Sequence, residues 1–309
     1  MSSILHFESL HSAALPPGPL HLAIGMFDGV HLGHRAVIEA AVQSARRSGG
    51  VAVVLTFWPH PSTIFRPEHA TRLITPTAQK VTLLAGLGVQ AVITHPFSAA
   101  FSAIEAVDFL PYLRQRLPAL AAVYVGENWR FGRGRTGDIA LLLAEGRRLG
   151  LHVFSAPRVN LDGEPVSSTR VRAWLEAGEI AAANAALGYT YVVEGPVIPG
   201  KQLGQKLGFP TLNLAWDPEL RPRFGVYVVR VSGLKRAGPL PGIANYGVRP
   251  TVESATRPQL EAHLLVACPF GPGDIIKVEW LRFIRPEMKF PDVAALRAQI
   301  ARDIVASRG

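Results

Sequence analysis

His21-Leu22-Ala23-Ile24-Gly25-Met26-Phe27-Asp28-Gly29-Val30-His31-Leu32-Gly33-His34 joins an apolar run to a glycine-rich turn carrying two imidazoles. The run reads as a short buried strand, and Arg35-Ala36-Val37-Ile38-Glu39-Ala40-Ala41-Val42 continues with apolar residues at helical spacing. Strand, turn and helix N-terminus follow in that order. A helix N-terminus offers unpaired N–H groups and the positive end of a dipole, and glycines let backbone approach an anion closely. His31 and His34, at i and i+3, share one face of the first turn. An imidazole donor there can serve a phosphate oxygen that gains charge in a transition state. The bland alternative, two surface histidines at a helix start, leaves Gly25, Gly29 and Gly33 unexplained.

Outward from this motif, residues 20 to about 188 alternate apolar runs with helical patterns. Val51–Phe57, Ala91–Thr94, Ala121–Val125 and Leu151–Phe154 read as further strands. Pro76–Leu87, Ala106–Leu117, Asp138–Leu149 and one long segment containing Val171–Ala186 read as helices. This βα alternation predicts an α/β, Rossmann-like domain with a parallel sheet covered on both faces. Ligands in such folds bind beyond the carboxyl ends of strands, where the opening motif lies. Past Gly188 the rhythm changes to short β-branched runs punctuated by Gly and Pro: Tyr191–Gly195, Gly225–Val231, Leu260–Leu265 and Ile275–Trp280. These predict a small antiparallel β-barrel, closed by a terminal helix over about Val293–Ala306. The expected domains are therefore 1–188 and 189–309.

Composition limits the function classes. The 309 residues suit two domains of ordinary size, and 48% hydrophobic against 18% charged residues supplies a packed core. No apolar run reaches the roughly 18 residues needed to span a bilayer. The first residues lack a basic segment followed by an apolar stretch, so a soluble, cytoplasmic protein is expected, without a membrane partner. A single cysteine, Cys268, excludes an internal disulfide and a cysteine metal cage. The net charge of +9 comes from scattered arginines rather than a basic run with interleaved aromatics. Anionic small molecules account for those clusters, and no nucleic-acid partner is expected.

Two further glycine patterns are decoys. Gly195–Gln202 has the glycine–lysine spacing of a P-loop, but Gln202 stands where a metal-reaching hydroxyl belongs, and Gly204, Gly208 and Pro210 prevent the required regular helix. Gly132-Arg133-Gly134-Arg135-Thr136-Gly137 matches a dinucleotide fingerprint in its glycines alone, set away from its strand. A third cluster, Val166-Ser167-Ser168-Thr169-Arg170-Val171-Arg172, carries more than the one hydroxyl a helix cap needs. Its hydroxyls and N–H groups suit terminal phosphates, with Arg170 or Arg172 as a bidentate partner. With His31 and His34 it predicts a triphosphate site built from two helix N-termini.

Together these residues resemble the bifunctional riboflavin kinase/FMN adenylyltransferase family, the prokaryotic FAD synthetases, over nearly the whole chain. The first half carries GMFDGVHLGH at 25–34, VGENWRFGRGRTGD at 125–138 and VSSTRVR at 166–172. The second carries GPVIPGKQLGQKLGFPTLNL at 195–214, GVYVVRV at 225–231, ANYGVRPT at 244–251, LEAHLL at 260–265 and FIRPEMKF at 283–290.

The resemblance implies ATP-dependent phosphorylation of riboflavin, then adenylyl transfer from ATP to the FMN formed. In the first half it implies His31 and His34 as catalytic residues. Gly25, Phe27, Asp28, Gly33, Ser168, Thr169 and Arg172 would bind ATP, and Asn128, in a Gly126-Glu127-Asn128 turn, flavin or nucleotide. In the second it implies Gly200, Lys201, Gly204 and Thr211 as ATP-binding. Thr211 and Asn213, in a Pro210–Asn213 turn, would be Mg²⁺ ligands, and Glu261 the catalytic base. The family pattern usually has Arg where this chain has Gln205, and Tyr-Gly where it has Pro272-Gly273. The rival reading, a flavin-binding barrel without kinase chemistry, is opposed by the retained Thr211, Asn213 and Glu261. Partners are small molecules, and a homo-oligomer is left open.

Overall fold

The computed structural model describes residues 4–200, 204, 208–234, 236–248 and 258–308, which fall into two compact units, 1–168 and 169–309. In the first, six parallel strands lie in the order β1-β4-β3-β2-β5-β6: β1 (Leu5–Phe7), β2 (Leu20–Ile24), β3 (Val51–Trp58), β4 (Ala91–Pro96), β5 (Leu120–Gly126) and β6 (His152–Ala156). Leu20, Leu22 and Ile24 enter a core with Val53, Leu55 and Ile93, whereas Ala23 enters another with Val54 and Val92. Burial on both faces explains why the strands are continuous apolar runs rather than alternating ones. The edge strand β1 is too short for its sequence to signal it.

Helix α1 (Leu32–Ser48) buries Val37, Ile38, Ala41, Val42 and Ala45 on one stripe and ends at Gly49, φ +65°. Between the later strands run α2 (Ser62–Phe65), α3 (Thr77–Gly86), α4 (Ala99–Ser102), α5 (Ala106–Arg116) and α6 (Ile139–Leu149). A small hairpin, β7 (Asn160–Leu161) with β8 (Glu164–Pro165), completes the unit. From β2 the chain builds the sheet first on one side, through β3 and β4, and later on the other, through β5 and β6, which places a topological switch point at the carboxyl end of β2.

Two helices follow where the sequence suggested one, α7 (Ser168–Ala177) and α8 (Ile180–Leu187), all but Ser168 belonging to the second unit. Gly178, φ +83°, separates them; a Cβ there would come 3.3 Å from the Phe283 ring. Six antiparallel strands then close a barrel in the order β10-β13-β12-β11-β14-β9. They are β9 (Val192–Ile198), β10 (Leu212–Leu214), β11 (Gly225–Gly233), β12 (Arg236–Val248), β13 (Pro258–Leu264) and β14 (Ile275–Pro286). Tyr227, Tyr246 and Trp280 are fully buried in its aromatic core. The expected Pro210–Asn213 turn is corrected here: Asn213 sits within β10, paired with Ile198 of β9 and Glu261 of β13. Strand β12 was hidden in the sequence by Pro239, Pro241 and three glycines, residues that disfavour strands but are tolerated where neighbouring strands fix the backbone. Helix α9 (Val293–Ala306), capped by Asp292, ends the fold as expected.

Candidate active sites

In the first unit the chain leaves β2 at Ile24, turns through Gly25–Val30 and enters α1 at its N-cap, His31. The turn holds Phe27, Gly29 and Val30 at φ +48°, +80° and +40°. Positive φ on a buried phenylalanine and a valine costs of order 1 kcal/mol or more each, so surrounding contacts must hold this loop.

Those contacts are specific. The Asp28 carboxylate accepts the backbone N–H of Ile74 at 2.9 Å and of Thr75 at 3.2 Å. The Gly29 N–H donates to Thr75 Oγ1 at 3.2 Å. On the other side Lys80 of α3, only 2% exposed, donates from Nζ to the Met26 carbonyl at 2.9 Å and lies 3.3 Å from Thr56 Oγ1. Thr56 donates to the same carbonyl at 2.9 Å. Asp28, 1% exposed, therefore anchors the loop through its carboxylate, which is bonded to backbone amides. Lys80, Thr56 and Thr75 escaped sequence reasoning because a lysine inside a helical pattern ordinarily reads as a solvated face.

The two imidazoles stack, with ring centroids 3.6 Å apart and planes 15° from parallel. The His34 N–H donates to His31 Nδ1 at 3.3 Å, capping the helix. A neutral His31 with Nδ1 accepting carries its proton on Nε2, leaving that atom as the donor. Phe27 meets His34 edge-on at 5.3 Å, so its ring supports the imidazole. Gly33 makes room for the His31 ring: a Cβ would sit 3.2 Å from Cε1. At Gly25 a Cβ would press within 3.0 Å of the Phe27 ring. Ser168 joins this loop, its hydroxyl donating to the Asp28 carbonyl at 2.9 Å. Thr169 and Arg172 continue along α7 and belong to the second unit.

Beside Gly25 and Met26 lies a cavity of about 750 Å³ walled by Phe57, Phe97, Phe101, Phe109, Trp129 and Phe131, with Asn128, His60, Arg66 and Arg130 among its polar lining. Trp129 and Phe131 stack at 4.7 Å. The rejected dinucleotide fingerprint forms part of this wall, Gly132 and Gly134 lining it. Gly137 pairs with Phe131, where a Cβ would strike the ring at 2.8 Å. Its aromatics come from separate segments, so no single stretch of sequence announces the cavity.

In the second unit Gly204, Thr211, Asn245, Glu261, Arg285 and Glu287 line a cavity of about 310 Å³, with Met288, Phe290, Leu296 and Ile300 as its apolar side. Glu261 lies on β13 between buried Leu260 and Ala262, so the strand alternation turns it outward from the barrel core. Its Cα partners are Asn213 on β10 and Asn245 on β12, which puts the three residues in one row. Glycines flank the two oxygen donors named from the sequence. A Cβ on Gly200 would fall 2.2 Å from Asn213 Nδ2, and one on Gly204 would fall 3.3 Å from Thr211 Oγ1. His263 donates from Nδ1 to the Pro210 carbonyl at 2.8 Å, fixing the approach to Thr211. Arg285 grips Asp303 of α9 in bidentate fashion, Nε to Oδ1 at 2.9 Å and Nη2 to Oδ2 at 2.7 Å. Lys201 and Gln205 lie outside the described residues. Pro272 and Gly273 form a tight turn with Gly273 at φ +90°, the Asp274 N–H donating to the Gly271 carbonyl at 3.1 Å.

Two family models match this chain, FAD synthetase over residues 16–170 and riboflavin kinase over residues 187–309, leaving most of α7 and α8 between them. The Escherichia coli K12 bifunctional riboflavin kinase/FMN adenylyltransferase is 38% identical over 93% of this chain and 91% of its own length. The Haemophilus influenzae protein of that name is 32% identical over 97% of both. The chain belongs to the bifunctional riboflavin kinase/FMN adenylyltransferase family. A solved Streptococcus pneumoniae structure described as a macrolide-efflux protein covers 99% of both chains at TM-score 0.86 and 25% identity. Among the described residues no helix is long and apolar enough to cross a membrane. In this bifunctional family member, His31, His34 and the aromatic cavity fall in the part matched to FAD synthetase, and Thr211, Asn213 and Glu261 in the part matched to riboflavin kinase.

Proposed function

We propose that the chain phosphorylates riboflavin at its ribityl hydroxyl and then adenylylates the FMN, giving FAD and pyrophosphate. The observation that carries this reading is that each unit sets polar groups suited to phosphate beside a ligand-sized cavity: a strand-to-helix loop in the first, and side chains of the barrel wall in the second. The catalytic halves are taken as residues 1–188 and 189–309.

For adenylyl transfer, a phosphate oxygen of FMN attacks the α-phosphorus of ATP, and the bond from that phosphorus to the bridging oxygen breaks as pyrophosphate leaves. No covalent enzyme intermediate is needed, so catalysis reduces to alignment and neutralisation of developing charge. His31, donating from Nε2, and His34 serve the α-phosphate and the departing pyrophosphate. Gly25, Phe27 and Gly33 shape the loop around the nucleotide, while Ser168, Thr169 and Arg172 hold the β- and γ-phosphates. The flavin ring occupies the aromatic cavity, with Asn128 at its edge.

For the kinase step, the ribityl oxygen attacks the γ-phosphorus, its proton passes to Glu261, and ADP leaves. Gly200, Lys201, Gly204 and Thr211 bind the ATP. Thr211 Oγ1 and Asn213 Oδ1 are neutral hard donors that fit Mg²⁺, which ordinarily completes its shell with water and substrate phosphates. When bound, Mg²⁺ neutralises phosphate charge; the protein residues hold and orient the two substrates. The test is incubation of the purified chain with riboflavin, ATP and Mg²⁺, followed by separation of the flavins. FMN and FAD together support both steps; FAD only from supplied FMN would remove the kinase reading.

A further inference from the structure

Glu287 begins the segment that links β14 to α9, and its carboxylate folds back onto β12. It lies against the Val248 N–H and the Asn245 side chain, which favour its ionised form against the burial that raises its pKa. It lies so close over Gly247 that a Cβ there would come 1.7 Å from Oε1, so the glycine keeps this seat open. Asn245 is the Cα partner of Glu261 across the β12–β13 ladder, and all three side chains line the same cavity. Directly opposed side chains on neighbouring antiparallel strands stand roughly 5 Å apart at Cβ.

A carboxylate accepts and, when ionised, never donates. The Asn245 amide must therefore turn Nδ2 toward Glu287, which directs Oδ1 elsewhere; without that partner the amide has two nearly equivalent orientations. We propose that Glu287 is a positioning residue for riboflavin phosphorylation: by fixing the Asn245 amide it presents Oδ1 as acceptor for the ribityl hydroxyl adjacent to the one that Glu261 deprotonates. A polyol offers hydroxyls on consecutive carbons, and two acceptors on facing strands suit two such donors. A neutral amide oxygen accepts the second hydroxyl without removing its proton, so only the terminal oxygen becomes a nucleophile. This inference rests on Glu261 being the base.

The test uses the full-length chain, with riboflavin phosphorylation, FMN adenylylation and thermal melting all measured. Glu287→Gln keeps the shape but supplies a donor, releasing the amide. It is expected to lower the kinase kcat roughly 10- to 100-fold, the worth of about one hydrogen bond in the transition state, with KM for ATP and adenylyl transfer unchanged. Asn245→Ala is expected to lower kcat to a similar extent, and adding Glu287→Gln to it is expected to cost nothing more. On riboflavin lacking the 4′-hydroxyl, wild type and Glu287→Gln are expected to turn over equally. An undiminished kcat in Glu287→Gln, or losses that multiply in the double variant, would overturn the proposal. Glu287→Asp, whose shorter arm cannot reach Asn245, carries the same expectation if the glutamine variant does not accumulate. Kinase activity surviving in Glu261→Gln would instead refute the base assignment, and the double-variant result stays separately readable.

Discussion

The two units solve a similar problem, holding a nucleotide beside a flavin, with opposite use of the chain. In the first, the loop proposed to bind phosphate is one contiguous stretch, Gly25–His34, at a strand-to-helix junction. In the second, the corresponding groups are spread over β10, β12, β13 and the end of β14, and come together only because the barrel closes. A helix N-terminus brings its own dipole and unpaired N–H groups, so few residues suffice. A barrel wall brings none, so each donor and acceptor must be a side chain set by register. The first site should therefore be locally fragile at its histidines, and the second sensitive to anything that shifts strands or the segment following β14.

The largest effects should separate the two sites cleanly. His31→Ala is expected to slow FAD formation from FMN at least several-hundredfold, as loss of a transition-state donor does, while FMN formation from riboflavin persists. An unchanged adenylylation rate in a stopped assay would break the assignment. Glu261→Gln is expected to do the reverse, slowing riboflavin phosphorylation by roughly 10²–10⁴-fold and sparing adenylylation. Loss of both activities in either variant would mean that the units are not chemically independent.

Smaller effects sharpen the contrast at the level of support. His95 is buried, its Nδ1 accepting the Leu10 N–H at 3.3 Å, and burial, with His11 and Arg116 nearby, lowers its pKa to about 4. Its folded pKa lies below the unfolded value of about 6.5, so the unfolded chain binds the extra proton between those values. The first unit should lose stability as pH falls from about 6.5 towards 4, by up to about 3 kcal/mol, and keep it above. Denaturant midpoints across that range, compared with His95→Asn, check this; equal slopes would dismiss the histidine as the cause. Asp28→Asn, which weakens the anchor on Ile74 and Thr75, should cost about 1–3 kcal/mol in melting and lower adenylylation through loop disorder. Lys80→Met tests the opposite clamp and should slow adenylylation with the kinase rate unchanged.

Much of this was readable in the chain. The strands from His21, Val51, Ala91 and Ala121 showed as apolar runs because both sheet faces are buried, and α1, α3, α5 and α6 as helical periods between them. Strand β12 did not, since its prolines and glycines carry no pattern, and Gly178 broke one apparent helix into two. The Gly25–His34 turn was legible, whereas the Asp28 carboxylate's bonds to the Ile74 and Thr75 amides were not, since those amides lie 46 and 47 residues further along the chain.

By itself the sequence determined what depends on neighbours along the chain: the glycine turn, the paired imidazoles, the α/β rhythm and the change to barrel strands. Only the tertiary structure decided what depends on separation. It put Lys80 under the Met26 carbonyl, gathered aromatics from several segments around one cavity, and set Asn213, Glu261 and Asn245 in a single row. The physical reason is range. Propensity, capping and helix dipoles act within a few residues, whereas a buried cation or a strand register is fixed by groups that meet only after the chain has folded.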